Sequence, residues 1–268
     1  MQNLEQSVLF YRRVIGFDVR ERQNGTVEFG TFSTTLLELH ENPQARRVRG
    51  VSGLYHFAIL APDRPALGAA LGRLVQVQTP LQGFADHGVS EAIYLPDNEG
   101  NGIEIYRDRP REEWPWQDGR LAMVSDPLDA QGVLEAGAQR PAPDGLLPEG
   151  TVIGHMHLHV GDLDQAEGFY RDVLGFDLMQ HFGNSAAFLS AGGYHHHLGL
   201  NIWAGRGIPP APPDAAGLKW YQVLLPDEAS LQAALGRLEE AGAPAQEHAQ
   251  GWLGRDPAGN GVLLTVKN

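Results

Sequence analysis

The chain has 268 residues, a formal net charge of −13 and no cysteine: long enough for one large domain or two ordinary ones, but without disulfides, thiolate zinc sites or cysteine nucleophiles, so that His, Asp and Glu must hold any metal. The acidic balance repels nucleic-acid phosphates and anionic lipid, which points to small-molecule partners. No apolar stretch approaches the roughly 18 residues that span a membrane, and MQNLEQSVLFYRR lacks the basic-then-apolar order of a signal peptide, so a cytoplasmic location is expected.

Taken in chain order, NLEQSVLFYRRVIGFDV (3–19) comes first, and its character becomes clear from a later copy. HFAIL (56–60) reads as a strand. After it come two short strands around the turn DNEGNG (97–102), with His87, Tyr94 and Glu104 at fixed distances along them. PAPDGLLPEG (141–150) reads as linker, and DPLDAQGVLEAG before it as a short helix with an Asp cap. HMHLHV (155–160) is a second strand. DLDQAEGFYRDVLGF (162–176) then has Leu163, Phe169, Tyr170, Val173 and Leu174 at helical spacing, Asp162 as cap and Gly175 as stop. AAFLSAG and GLNIW are short strands between glycine-rich turns.

The chain repeats itself, which decides the fold before any single element does. Residues 3–19 match DLDQAEGFYRDVLGFDL (162–178) without a gap. GLYHFAILAPDRPALGAALGRL (53–74) matches GLKWYQVLLPDEASLQAALGRL (217–238), and DNEGNGIEI (97–105) matches DPAGNGVLL (256–264). Four βαβββ modules follow: A at 1–48, B at 52–110, A′ at 151–204 and B′ at 216–268, with a linker at 111–150. Met1 aligns with Val160, so module A lacks its first strand, whose counterpart is expected upstream of Met1.

FYRDVLGF paired with DPAGNGVLL resembles the vicinal oxygen chelate superfamily, which includes glyoxalase I, extradiol dioxygenases and fosfomycin-resistance proteins. The resemblance implies an α+β fold of four βαβββ modules forming two open eight-stranded metal-binding cups, with ligands on the first and last strands of a module. At those positions module B has His56 and Glu104 and module A′ has His155, whereas B′ has Trp220 and Leu263. If B pairs with A, the third ligand lies upstream of Met1. If B pairs with A′, His56, Glu104 and His155 make a two-His-one-carboxylate face suited to Fe(II), with Mn(II) accepting the same set. The second pairing collects every surviving ligand and is the one expected. Read without the resemblance, His56 and His155 are core histidines.

The interval from His87 to Tyr94 to Glu104 resembles the extradiol dioxygenase signature, with Ala85 and Asn98 departing from it. It implies Glu104 as a metal ligand and His87 and Tyr94 as donors beside a bound catecholate. His195, His196 and Leu198 in GGYHHHLGLNIWAG resemble the HH-x-Leu segment of those enzymes, and His196 is then the acid/base, an imidazole being able to shuttle a proton near neutral pH. Period-two alternation places His195 and His197 on one strand face and His196 on the other. His157 and His159 share a face with His155, either lining the cup or lying near its mouth. His40, His181 and His248 match nothing.

The whole sequence looks most like short four-module catechol 2,3-dioxygenase-like proteins. The expected activity is extradiol cleavage of a catechol-type aromatic diol by dioxygen, with no nucleic-acid or membrane partner and with a homo-oligomer left open. One alternative is a glyoxalase-type isomerase or lyase using Zn(II) or Ni(II), for which Glu38 of module A offers a further carboxylate. The other is a small-molecule binding protein that keeps the cup without the metal.

Overall fold

The computed structural model describes residues 1–140 and 145–267. It divides into two units: Met1–Ala45 with His56–His155, and Arg46–Tyr55 with the chain from Met156 onward.

The first unit holds α1 (Leu4–Phe10), β1 (Asp18–Gln23), β2 (Thr26–Gly30) and β3 (Thr35–His40), then β4 (Gly53–Leu60) from His56 on, α2 (Arg64–Gln76), β5 (Gly83–Asp86), β6 (Ser90–Pro96) and β7 (Gly102–Asp108). A hairpin of β8 (Trp116–Gln117) and β9 (Arg120–Leu121), helix α3 (Ala130–Gly137) and the start of β10 (Val152–His159) complete it. The second unit continues β10 into α4 (Leu163–Gly168), β11 (Asp177–Phe182), β12 (Ala186–Ser190) and β13 (Leu198–Asn201). It closes with β14 (Tyr221–Leu225), α5 (Glu228–Glu240), β15 (Gln246–His248), β16 (Gly251–Arg255) and β17 (Gly261–Val266). The fold is α+β, and βαβββ order recurs in modules B, A′ and B′, while module A enters at its helix with a three-stranded sheet.

The repeats fix equivalent features in both units. Asp63, Asp162 and Asp227 each cap a helix, accepting from the backbone N–H three residues on at 2.8, 3.0 and 2.8 Å. Helices α1 and α4 both run into a π-turn, at Tyr11–Ile15 and Phe169–Val173, and both stop at a glycine with φ near +90°, Gly16 and Gly175. The widened turn leaves carbonyls that the copied ALGRL segments satisfy: Arg73 donates to Val14 O and Ile15 O, and also to Gly145 O outside the turn, and Arg237 donates to Val173 O and Leu174 O. Burial pushes the Arg73 guanidinium down to about 10.

A second duplicated feature ties each helix to the turn before the last strand of the following module. Tyr11 Oη donates to Asp97 Oδ2 and Tyr170 Oη to Asp256 Oδ2, both at 2.8 Å, and Asn101 and Asn260 bind the same carboxylates. Both phenols are buried, so a missing partner would leave a desolvated polar group.

In module B the order is β4-β7-β6-β5, with β4 parallel to β7 and the others antiparallel. Phe57, Ile59, Ile93, Leu95, Ile103 and Ile105 point to one face and are buried with Leu67, Leu71 and Leu74 of α2. His56, Ala58, Leu60, Ala92, Tyr94, Glu104 and Tyr106 are left to the other face.

The expected helix in 126–137 is α3, capped by Asp129, whose Oδ1 accepts from Gly132 N at 2.9 Å. It crosses α2 at Gly68 and Gly137. A Cβ on Gly68 would lie 2.1 Å from Val133 O, and one on Gly137 2.2 Å from the Gly68 carbonyl carbon. Residues 111–140, expected as linker, are therefore packed into the first unit, and the linker reading of 141–144 lies outside the described residues. In module A′ the order is β11-β12-β13-β10, and in module B′ β14-β17-β16-β15.

Candidate metal centre

Three ligand positions meet inside the first unit. Glu104 Oε2 lies 3.0 Å from both His56 Nε2 and His155 Nε2, and the two nitrogens are 3.3 Å apart. All three residues are buried, and they form the one cluster of three or more candidate ligands among the described residues. Register explains the convergence. Ala58 of β4 faces Glu104 of β7, so His56, two residues earlier, shares its face. His155 enters from β10, its ring 5.5 Å from that of His56.

Burial opposes ionisation of Glu104, but the charge and hydrogen bonds of His155, with those of His56, hold its carboxyl well below the usual range. An anion packed between two imidazoles is the donor set of a divalent-cation site. A first-row ion bound at about 2.1 Å places adjacent ligands of an octahedral face about 3.0 Å apart, which the observed triangle fits.

The ring of Tyr106, fully buried, packs 4.9 Å from that of His155. Its hydroxyl lies where a side chain on Gly154 would be, since a Cβ there would sit 1.9 Å from Tyr106 Oη. Gly154 and Tyr106 thus constrain a ligand, a role that sequence reading missed. GHMHLHV shows a glycine before the histidine, but nothing in it marks Tyr106 as the reason.

Tyr94 pairs directly with Glu104 across β6 and β7, and its ring is 5.7 Å from that of His56. His87 Nε2 is 2.7 Å from Tyr94 Oη, and His87 Nδ1 is 2.8 Å from Val124 O. A carbonyl only accepts, so Nδ1 carries a proton; in the neutral ring Nε2 is then the acceptor and Tyr94 O–H the donor. The spacing of seven residues is what closes this pair, across the β5–β6 turn.

The remaining expected residues lie in the second unit. His196 Nδ1 is 2.9 Å from His195 Nδ1, and its ring packs 4.9 Å from that of Phe188. The alternation expected for the HHH run does not hold. Gly192 and Gly193, with φ of +65° and +67°, turn the chain, residues 191–197 form a loop, and β13 begins only at Leu198. The rings of His195 and His196 are therefore side by side, and the Tyr194 ring packs at a tilt against those of His195 and His197. His157 packs among Tyr55, Phe188 and Trp203, while His159 Nδ1 is 2.7 Å from Asn201 Oδ1. Glu38, the alternative carboxylate, pairs with His40 at 2.7 Å and joins no three-ligand cluster among the described residues. His181 pairs with Glu167, and His248 packs near Trp220.

A family model described as the glyoxalase/bleomycin resistance protein/dioxygenase superfamily matches residues 1–105 and 152–262. The chain belongs to this superfamily. Among curated members of known name, a catechol-2,3-dioxygenase of Bacillus subtilis (strain 168) is 46% identical over 272 residues, covering 99% of this chain and 94% of that protein. A solved structure from Bacillus subtilis subsp. subtilis str. 168 superposes with a TM-score of 0.62 at 13% identity, over 97% of this chain and 80% of that one. Glyoxalase I from Zea mays does so at 0.59 and 15%, over 99% and 89%. At such identities these two show the superfamily fold alone. No helix among the described residues is long and apolar enough to cross a membrane.

Proposed function

We propose that the chain is an extradiol dioxygenase that opens the ring of a catechol-type diol beside its two hydroxyls, with Fe(II) held by His56, Glu104 and His155. The observation that carries this reading is the buried two-His-one-carboxylate triangle with the Tyr94–His87 pair beside it, in a chain 46% identical to a catechol-2,3-dioxygenase. When bound, such an ion supplies open positions for the diol oxygens and for dioxygen, and electrons from one to the other.

The chain's own residues do the rest. The Glu104 carboxylate lowers the net charge of the site, and the two imidazoles leave one face open. A diol must lose protons on binding. Tyr94 receives one while passing its own to His87 Nε2, and the Val124 carbonyl holds His87 in the tautomer that can accept it. His196 serves as the further acid/base, a role carried by its place in the HH-x-Leu segment. Glu38 lies outside the ligand cluster, which favours this reading over the glyoxalase-type one.

The test is anaerobic loading with Fe(II), followed by a panel of catechols with dioxygen uptake and visible absorbance recorded together. Stoichiometric uptake with yellow semialdehyde products is expected, and it should disappear in Glu104→Ala. Inactivity across the panel, alongside isomerisation of a glutathione hemithioacetal, would overturn the reading.

A further inference from the structure

The duplicated units differ at a place unrelated to metal ligation. Ahead of α1, Glu99 Oε1 accepts from Gln2 N at 2.6 Å and from Asn3 N at 3.1 Å. Adjacent backbone N–H groups of this kind make a seat for an anion. The match of 3–19 with 162–178, extended back by one residue, and of 97–105 with 256–264 gives the corresponding groups in the second unit: Gly161 N, Asp162 N and the side chain of Ala258. Ala258 brings no carboxylate. Among the described residues no acceptor meets the N–H of Gly161 or of Asp162.

The frame around the two seats is otherwise the same. Asn3 and Asp162 cap their helices, accepting from Gln6 N at 3.1 Å and Gln165 N at 3.0 Å. Asp97 and Asp256 hold the turns, accepting from Asn101 N at 2.9 Å and Asn260 N at 2.8 Å, and each is bound by its tyrosine. Glu99 and Ala258 therefore start from equivalent points. In the second unit the space at Ala258 belongs to a cavity of about 720 Å³, which Gly161, Asp162, Ser52 and Arg206 also line. Ser52 is 3% exposed, and its hydroxyl has no partner among the described residues. Gly207 N donates to Gly161 O at 2.7 Å, which brings the loop carrying Arg206 alongside the N–H pair. Arg206 spends one nitrogen on Asn184 O at 3.0 Å and forms no ion pair among the described residues. Two lining carboxylates oppose an anion: Asp162, whose Oδ1 is engaged by Gln165 N, and Asp164, which is exposed and screened by water. The unpaired Arg206 guanidinium offsets them.

We propose that this cavity binds a small polar organic acid, whose carboxylate takes on Gly161 N and Asp162 N the place that Glu99 fills in the first unit, with Arg206 as its counter-charge. The bonds to such a ligand are charge-assisted. A cavity of this size, within the range of small-molecule sites, leaves room for a body of several atoms beyond the carboxylate. None of His56, Glu104 and His155 lines it, so binding there is independent of ring cleavage.

Succinate is the probe and succinamide its neutral control, each added at constant ionic strength to the full chain loaded with diamagnetic Zn(II). Amide spectra of ¹⁵N-glycine-labelled protein read the site directly. The Gly161 N–H should move downfield as succinate saturates, with a Kd of roughly 1 mM, and should stay in place with succinamide. Succinate at about 10 times Kd should raise Tm by roughly 3–6 °C. Ala258→Glu supplies the carboxylate from within. It should weaken succinate binding by about 10-fold or more and, without ligand, bring the Gly161 N–H near its succinate-bound position. Arg206→Gln should weaken binding by about 2- to 5-fold. A Gly161 resonance that ignores succinate, an equal response to succinamide, or undiminished binding in Ala258→Glu overturns the proposal. Should that variant fail to fold, the wild-type glycine titration decides.

Discussion

The contact between Gly154 and Tyr106 makes a sharp prediction about the metal centre. In Gly154→Ala the new methyl would lie 1.9 Å from Tyr106 Oη, 2.8 Å from its Cζ and 3.1 Å from Leu60 Cβ. Carbon contacts settle at about 3.5–4.0 Å, so ring and strand must separate by roughly 1.5–2 Å. Tyr106 is fully buried in a cluster with Ala58 and Ala92 and cannot swing into solvent. Overpacking of this kind costs about 1–3 kcal/mol. At about 2–4 °C per kcal/mol for a chain of this size, the metal-free protein should melt roughly 2–12 °C lower. The movement falls on the residue before His155, so divalent-metal affinity should also drop, by about 10- to 100-fold if the loss resembles that of an orienting partner. Thermal denaturation with chelator and a Co(II) titration followed by absorbance give the two readouts. Gly154→Ala with Tyr106→Phe loses the nearest atom but keeps Cζ at 2.8 Å, so it should recover stability only in part. A single variant that melts and binds like wild type would refute the claim that this glycine is required by close approach.

Removing metal from the wild type with chelator should lower Tm, and saturating it at 100 times Kd should restore about 2.7 kcal/mol, whereas Glu104→Ala should show no metal-dependent shift in the same scan. Tyr11→Phe deletes a 2.8 Å hydrogen bond to a carboxylate that keeps its bonds from Glu99 N, Asn101 N and Asn101 Nδ2; a loss of about 1.5–3 kcal/mol is expected in urea denaturation. Burial first raises the phenols of Tyr11, Tyr170 and Tyr221 well above their ordinary value, reinforced by Asp97 at Tyr11, by Tyr221 and then Asp256 at Tyr170, and by Asp256 at Tyr221. Unfolded tyrosine titrates near 10, so their contribution to stability should be full below about pH 10 and lost as pH rises through the higher folded values. Denaturation at a series of alkaline pH values checks this, and Tyr11→Phe should flatten the fall.

Module order was legible in the sequence because duplication supplies its own alignment: two copies of FYR, of ALGRL and of Asp-x-x-Gly-Asn define the units before any propensity is weighed. His56, Glu104 and His155 could be grouped because the superfamily resemblance places ligands on the first and last strands of a module and the repeat shows which modules keep them. The π-turns could not be foreseen, since Tyr11–Ile15 and Phe169–Val173 read as ordinary helix and the extra residue per turn leaves no mark in apolar spacing. The histidine run failed for a related reason. Alternation was applied to residues that Gly192 and Gly193 turn out of the strand. Nor did the sequence show α3 seated on α2, because Gly68 and Gly137 each look like weak helix positions until a backbone is found against them.

The two copies of the B-type module also form a natural control carried on one polypeptide. Leu263 faces Gln222 in the register by which Glu104 faces Ala58, and Leu263 and Glu104 are both buried. The scaffold features, Tyr170 with Asp256 and Arg237 with its carbonyls, survive in the copy that has Trp220 and Leu263 in place of the ligands. Burying a carboxylate costs several kcal/mol before its partners offset it, a cost that an aliphatic side chain avoids. One copy thus carries at this position what folding alone prefers, while the other bears the standing expense of keeping a carboxylate away from water.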